Sequence, residues 1–310
     1  MAPRIAILGA GIFVKTQYIP RLAEISDLVS LKFIWSRSEE SAKSAAEVAR
    51  KHFADVECVW GDNGLEQIIK EDSILGVAVV LAGQAQSDMN RISVLNSSGG
   101  FNLTMISAMC ALDTLLMNIA PVVAPKLYLD YISEIENALS RYNSICPDPP
   151  GQPIWAVAEN YRFEPAFVEC KKLIAEIGDM MSVQVIVEGS MNSSNPYFSS
   201  SWRRNFTIFW RVVGMKGTLQ VERGNQDGRH GYLVTQYGAD GQSKSMFYPF
   251  SGVTEELKAF IHDISEAKKG INHVPEPRSS FLEGARDVAL LEAMLESGSK
   301  QGALVHVKKF

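Results

Sequence analysis

The sequence predicts an α/β protein with two parts: a doubly wound parallel sheet first, then an α+β part with a mostly antiparallel sheet. Three observations carry this. Short apolar runs alternate with helical stretches over the first eighty residues. Alternating strands with Gly-rich turns follow position 180. The 310 residues exceed what one hydrophobic core usually serves.

The first apolar run is Ile5-Ala6-Ile7-Leu8, which ends in glycine and reads as a buried parallel strand. A helical stretch runs from there to about Ser26. Leu31 to Trp35 is a second strand, Ser36 to Phe53 an alanine-rich helix, Glu57 to Trp60 a short third strand and Leu65 to Lys70 a helical turn or two. Val77 to Leu81 is the next buried strand, and this alternation implies a parallel sheet covered on both faces. From Ser87 to Tyr131 no strand is predicted. Leu103 to Val123 is apolar, but Asp113 and Asn118 near its middle favour a buried helix over a membrane span.

Ser133 to Tyr142 reads as a helix with a capping-box spacing at Ser133 and Glu136. Ile154 to Tyr161 reads as a strand. Phe167 to Ile177 is an amphipathic helix ended by Gly178. Strands follow at 182–187, 209–213, 218–222, 232–237 and 245–248, as an antiparallel meander. Two helices close the chain, the first burying Leu257, Phe260, Ile261 and Ile264, the second running from Phe281 to Ser297. A strand is expected at Ala303–Val307.

The chemistry sits at the end of the first strand. Gly9, Ala10, Gly11, Ile12 and Phe13 form a G-x-G turn that opens a helix. The first glycine permits the tight turn, and the second lets backbone approach a pyrophosphate at the positive helix end. This is the nucleotide-binding turn of a Rossmann domain. Val14 stands where the motif's third glycine would be. After the second strand come Ser36, Arg37 and Ser38, with no acid until Glu39. An acid there would accept from the ribose of NAD. Two hydroxyls and a guanidinium suit a 2′-phosphate, so NADP is expected, with NAD as the alternative.

These segments resemble the Gfo/Idh/MocA family of oxidoreductases. The resemblance rests on Gly9–Phe13 with Tyr18-Ile19-Pro20, on Ser36-Arg37-Ser38, on Ala158-Glu159-Asn160-Tyr161-Arg162-Phe163-Glu164-Pro165, and on the last two helices. It implies an NAD(P)-binding domain at 1–162 and a C-terminal α/β domain at 163–310. It also implies hydride transfer between nicotinamide and a sugar, polyol or related carbonyl.

Two family motifs are missing. A lysine in E-K-P and a histidine in D-x-G-x-H usually carry proton transfer there; this chain has neither. The segment 87–131 replaces the strand that would end in E-K-P, and its one lysine is Lys126, in Ala124-Pro125-Lys126. Near 207, Thr207 runs straight into Ile208, where the family has dozens more residues. A parallel strand and several antiparallel strands are therefore expected to be lost, which would open sheet edges. The catalytic candidates left are Lys126, Tyr161 and Arg162. The alternative to an active enzyme is an inactive NADP(H)-binding protein or a splice variant. The histidines (52, 230, 262, 273 and 306) are expected to be exposed or structural, His230 in a hairpin loop.

A net charge of −5 gives no electrostatic reason for a nucleic-acid or membrane partner. A small-molecule substrate is expected, with homo-oligomerisation through the C-terminal sheet. No metal-ligand spacing stands out. Four scattered cysteines, no C-x-x-C and no signal peptide suggest a reducing, cytoplasmic location.

Overall fold

The computed structural model describes residues 2–81, 104–107, 135–137, 139–140, 144, 154–190, 205–269 and 273–310. The chain forms two compact units, Met1–Glu159 with Glu256–Phe310, and Asn160–Glu255.

The first unit holds a six-stranded sheet in the order β3-β2-β1-β4-β5-β6, all parallel. Its strands are β1 (Arg4–Leu8), β2 (Ser30–Ser36), β3 (Glu57–Trp60), β4 (Ile74–Val79), β5 (Thr104–Ser107) and β6 (Trp155–Val157). Between them lie α1 (Ile19–Ala23), α2 (Glu39–Ala49) and α3 (Gly61–Ile69). Ile5, Ala6, Ile7 and Leu8 are all buried, as a central strand covered on both faces requires. On one face Ala6, Leu8, Phe33, Trp35, Val77 and Val79 pack with Ile68 of α3.

The last two helices, α5 (Gly252–Lys268) and α6 (Phe281–Ser299), return to this unit. Leu257, Phe260, Ile261 and Ile264 are buried, and a Cβ on Gly76 of β4 would lie 2.3 Å from Ile264 Cδ1. On α6, Ala285, Ala289 and Ala293 are buried, Phe281 packs against Trp155 of β6 at 4.5 Å, and Gly284 faces Val157. The expected division at 162/163 therefore differs from the compact units: residues 256–310 bury their apolar faces on the parallel sheet.

The structure corrects several local expectations. A parallel strand is not lost: Thr104–Ser107, inside the segment expected to hold no strand and a buried helix, is β5, paired to β4 and β6. The apolar stretch Leu103 to Val123 in which it lies fits a strand as well as a helix, which periodicity alone cannot separate. The rest of 87–131, including Lys126, lies outside the described residues. The strand expected to reach Tyr161 stops at Val157, and Asn160–Arg162 form a 3₁₀ turn in which Phe163 and Glu164 N–H both donate to Asn160 O. Residues 303–307 form no strand; the chain turns through Gln301 and Gly302 and then follows no regular element. In this stretch Lys308 pairs with Glu136. Residues 135–137, 139 and 140 are helical as expected, Ser144 beyond the expected end is helical too, and Ser133, the expected cap, is outside the described residues.

The second unit is an antiparallel meander in the order β11-β10-β9-β8-β7. Its strands are β7 (Met180–Ser190), β8 (Asn205–Gly214), β9 (Gly217–Gln226), β10 (Arg229–Gly238) and β11 (Ser243–Pro249). The β9–β10 turn is Asp227-Gly228, with φ of 53° and 78°. Both values are positive, the type I′ geometry that suits a tight hairpin. His230 therefore belongs to the ladder, opposite Asn225, rather than to a loop. Thr207 and Ile208 are consecutive residues of β8, facing Glu188 and Val187 of β7 in unbroken register. The shortened connection is thus absorbed into a regular strand.

Helix α4 (Pro165–Leu173) covers part of this sheet. Pro165 at its first turn fixes a helical φ without losing a needed donor. Phe167 meets Trp210 at 4.9 Å, Tyr232 at 5.2 Å and Tyr161 at 5.6 Å, each ring tilted edge to face. Cys170 lies beside this cluster, and burial, followed by the Glu169 carboxylate, pushes its thiol up to about 11 from an ordinary 9.0. A raised thiol stabilises the fold below pH 9, and that contribution is lost as pH climbs toward 11, because the unfolded chain ionises first. Alkylation of native protein followed by peptide mass spectrometry should find Cys170 slow at pH 8 and fast only near pH 11. Reaction at pH 8 as fast as in the denatured chain would contradict this environment.

Candidate dinucleotide site

β1 ends between the ends of its two neighbours. Gly9 N–H donates to Trp35 O of β2 at 2.8 Å, and Val80 N–H donates to Leu8 O at 2.7 Å. Gly9 has φ +133°, and a Cβ there would sit 2.1 Å from Val80 O. Only glycine fits, for reasons internal to the protein. Two residues on the situation reverses. Gly11 is exposed, its φ is not positive, and a Cβ on it would meet nothing within 4 Å. Among the described residues no neighbouring atom crowds it, so the space over Gly11 at the start of the helix has room for a ligand's approach.

Ala10 is buried, and Ile12 and Phe13 are half-buried at the helix start. Lys15 N–H closes the first turn onto Gly11 O at 3.2 Å. Val14, at the third motif position, is fully buried, and from Val14 to Tyr18 the helix widens into a π turn. The third glycine normally allows close helix–strand packing; here the turn widens where the larger side chain is buried. Thr16 Oγ1 donates to Ile12 O at 2.8 Å, using a carbonyl at the widened turn. The first turn holds no acid, which leaves its positive end open to an anion. Beneath it Tyr18 is fully buried against Phe13, its phenol pushed well up by burial and by Glu256.

At the end of β2, Trp35 Nε1 donates to Gly61 O at 2.8 Å, Ser36 is half-buried and Arg37 is exposed. Arg37 makes no ion pair among the described residues. Ser38 caps α2: its Oγ accepts from Ser41 N–H at 3.4 Å and its hydroxyl donates to Ser41 Oγ at 2.9 Å. Its hydroxyl is thus already engaged in the fold, while Ser36 and Arg37 are the freer groups. Gly9, Ala10, Gly11, Ile12, Phe13, Ser36, Arg37 and Ser38 all lie at the C-terminal ends of β1 and β2, where α/β sheets hold ligands.

The catalytic candidates fare differently. Tyr161 and Arg162 lie on the 3₁₀ turn of the second unit. The Tyr161 phenol hydrogen-bonds with buried Tyr232 and with Arg223, a trio that sequence reading missed because β9–β10 register assembles it. Burial first, then Tyr161, drives Tyr232 far above its ordinary range. For Arg223 burial works against the charge, but the two phenols outweigh it. His273, another position read as structural, donates or accepts at 2.6 Å with buried Asp263, which also accepts from Glu276 N–H. Among the described residues no cluster of three or more His, Cys, Asp or Glu is placed to hold a metal, and no helix is long and apolar enough to cross a membrane.

A Rossmann sheet followed by an open antiparallel sheet is the two-domain fold of Gfo/Idh/MocA type, and solved structures with this fold match nearly the whole chain. A super-repressor mutant of Gal80p from Saccharomyces cerevisiae superposes with a TM-score of 0.67 at 11% identity, covering 98% of both chains. KijD10, a 3-ketoreductase from Actinomadura kijaniata solved with NADP and TDP-benzene, gives 0.64 at 12%, covering 94% of this chain and 97% of its own. Aldose-aldose oxidoreductase from Caulobacter crescentus gives 0.64 at 14%, covering 97% and 98%. By sequence, dehydrogenase FPY6 of Fusarium mangiferae is 24% identical over 375 aligned positions, 98% of this chain and 99% of the relative. That alignment is longer than this chain, so dozens of the relative's residues have no counterpart here. No family model matches the chain.

Proposed function

We propose that the first unit binds NADP(H) and that the chain is an oxidoreductase, moving hydride between nicotinamide and a sugar, polyol or related small carbonyl compound. The carrying observation is Gly11, a glycine that no contact among the described residues requires, at the acid-free start of a helix beside β1. The backbone of Gly9–Phe13 holds the pyrophosphate, and Ser36, Arg37 and Ser38 face the adenosine 2′-phosphate, with NAD the weaker ligand. The bound dinucleotide supplies or accepts the hydride; Tyr161, Arg162 and Lys126 are the chain's candidates for handling the proton or the substrate. KijD10 with NADP, the Caulobacter oxidoreductase and the Fusarium dehydrogenase support the activity class.

A second reading has its own support: binding without turnover. E-K-P and D-x-G-x-H are both absent from the sequence, and one protein of this fold carries the name of a repressor. Titrating NADPH fluorescence with purified chain, beside a panel of sugar-like carbonyls, separates the two. Binding with NADPH oxidation supports the enzyme. Binding alone supports the inactive form, and no binding overturns both. The partner expected besides substrate is a second copy meeting through the antiparallel sheet, and the location is the cytoplasm, as the cysteine usage suggests.

A further inference from the structure

Among the described residues Lys15 is a cation without a counter-ion. It is half-buried on the π turn, four residues after Gly11, and its Nζ lies 3.5 Å from Ser44 Oγ on α2. No carboxylate pairs with it among the described residues, and nor with Arg37. The acids at the start of α2 are Glu39 and Glu40; Glu39 is held by Lys43 at 2.7 Å and Glu40 is exposed. A hydroxyl at 3.5 Å is a poor partner for a partly desolvated ammonium, which is stable in such a place when an anion joins it.

The two unpaired cations flank one line of hydroxyls. Ser38, Ser41 and Ser44 stand at intervals of three along α2, so they share a face, with Ser38 and Ser41 already hydrogen-bonded and Ser44 against Lys15. Arg37 stands at one end of that line and Lys15 at the other. Side chains on a helix lean toward its N-terminus, which carries the Lys15 stem toward the Gly11 end rather than away from it. From Ser38 to Ser44 the helix rises about 9 Å, a length that two long cationic side chains approaching from its ends can span around one phosphate group.

We propose that Lys15 is a specificity-determining residue, which with Arg37 brackets the 2′-phosphate of NADP(H). This rests on the cofactor reading above. NAD(H) has only a hydroxyl at that position and gains nothing from Lys15, whereas a phosphate gains a charge-assisted contact. Lys15 also sits on the first helix, away from the β2 end where cofactor choice is ordinarily read.

The test is the affinity of Lys15→Met and Lys15→Arg for NADPH and NADH, by fluorescence titration of the full chain. Methionine keeps the apolar stem that packs and removes the charge. Lys15→Met should weaken NADPH about 10- to 100-fold and leave NADH within about twofold. Lys15→Arg should recover most of the NADPH affinity, and the wild-type advantage for NADPH should shrink as salt is raised. If both cofactors weaken by one factor, or neither changes, the proposal is wrong while the cofactor site stands. If the wild-type chain binds neither dinucleotide, the cofactor reading itself fails. A Lys15→Met chain with a lowered melting midpoint but unchanged cofactor preference would also overturn it, since that is the signature of a packing role alone.

Discussion

Alanine at Gly9 is expected to leave little folded protein, while valine at Gly11 leaves the fold intact and removes dinucleotide binding. The two glycines look alike in the sequence and differ completely in what surrounds them. At Gly9 a Cβ would lie 2.1 Å from the Val80 carbonyl oxygen, on a backbone with φ +133°. The conformation alone costs about 1–3 kcal/mol for a residue with a side chain. The overlap adds to it, because the offending atom is backbone and moves only if β1 separates from the strand leading to Val80. Together these approach the whole stability of a typical domain, about 5–15 kcal/mol. At Gly11 nothing among the described residues lies within 4 Å of the new Cβ, so the melting midpoint should hold within a degree or two of wild type. A branched side chain there fills the space a pyrophosphate would need, and each lost charge-assisted hydrogen bond costs about 1.5–3 kcal/mol, so NADPH affinity should fall at least tenfold. Soluble yield, thermal unfolding and NADPH titration of the two variants check this directly. A stable Gly9→Ala chain, or a Gly11→Val chain that binds NADPH normally, would refute the division of labour between them.

Much of the first unit was legible because its signals are local. The run Ile5–Leu8 ends in G-x-G, and every residue of that run is buried where the pattern placed it. Ser36, Arg37 and Ser38 were candidates because cofactor choice is read at one place, the end of β2, and the structure places them there. What the sequence could not show is set by partners distant along the chain. Thr104–Ser107 is a strand because β4 and β6 leave a slot between them, not because its own residues demand it. Residues 256–310 look like the end of the second part, yet Ile264 buries against Gly76 across nearly two hundred positions of sequence. The Tyr161–Tyr232–Arg223 trio depends on the pairing of Tyr232 with Arg223 in the β9–β10 ladder. The loss of residues near 207 was legible as a break in the family pattern. Its consequence was not, because a strand can be rejoined wherever alternation and register continue, and Thr207 and Ile208 keep both.

The second unit rests on a small apolar contact, and Phe167 is its centre. One helix, α4, supplies Ala166, Phe167, Cys170 and Leu173 to the sheet. Of these Phe167 alone reaches three aromatic rings, Trp210, Tyr232 and Tyr161. Truncating a core phenylalanine costs about 3–5 kcal/mol, and half-burial places Phe167→Ala at the lower end, near 3 kcal/mol. For a unit of about a hundred residues that lowers the midpoint by about 10–20 °C. The transition should split in two, since every residue of this cluster belongs to the second unit, and NADPH binding in the first should survive. Tyr161→Phe serves as the counterpart. It keeps the ring and its edge-to-face contacts but removes the hydroxyl shared with Tyr232 and Arg223, which should cost about 1–2 kcal/mol. If Tyr161 also handles the proton or substrate, Tyr161→Phe will lower turnover far more than that stability loss explains, with NADPH affinity unchanged. If it is only a packing residue, turnover and stability will fall together, as they should in Phe167→Ala. Scanning calorimetry with and without NADPH, read beside steady-state rates, separates these outcomes, and a Phe167→Ala chain that melts at the wild-type temperature would show that α4 is not what holds the antiparallel sheet.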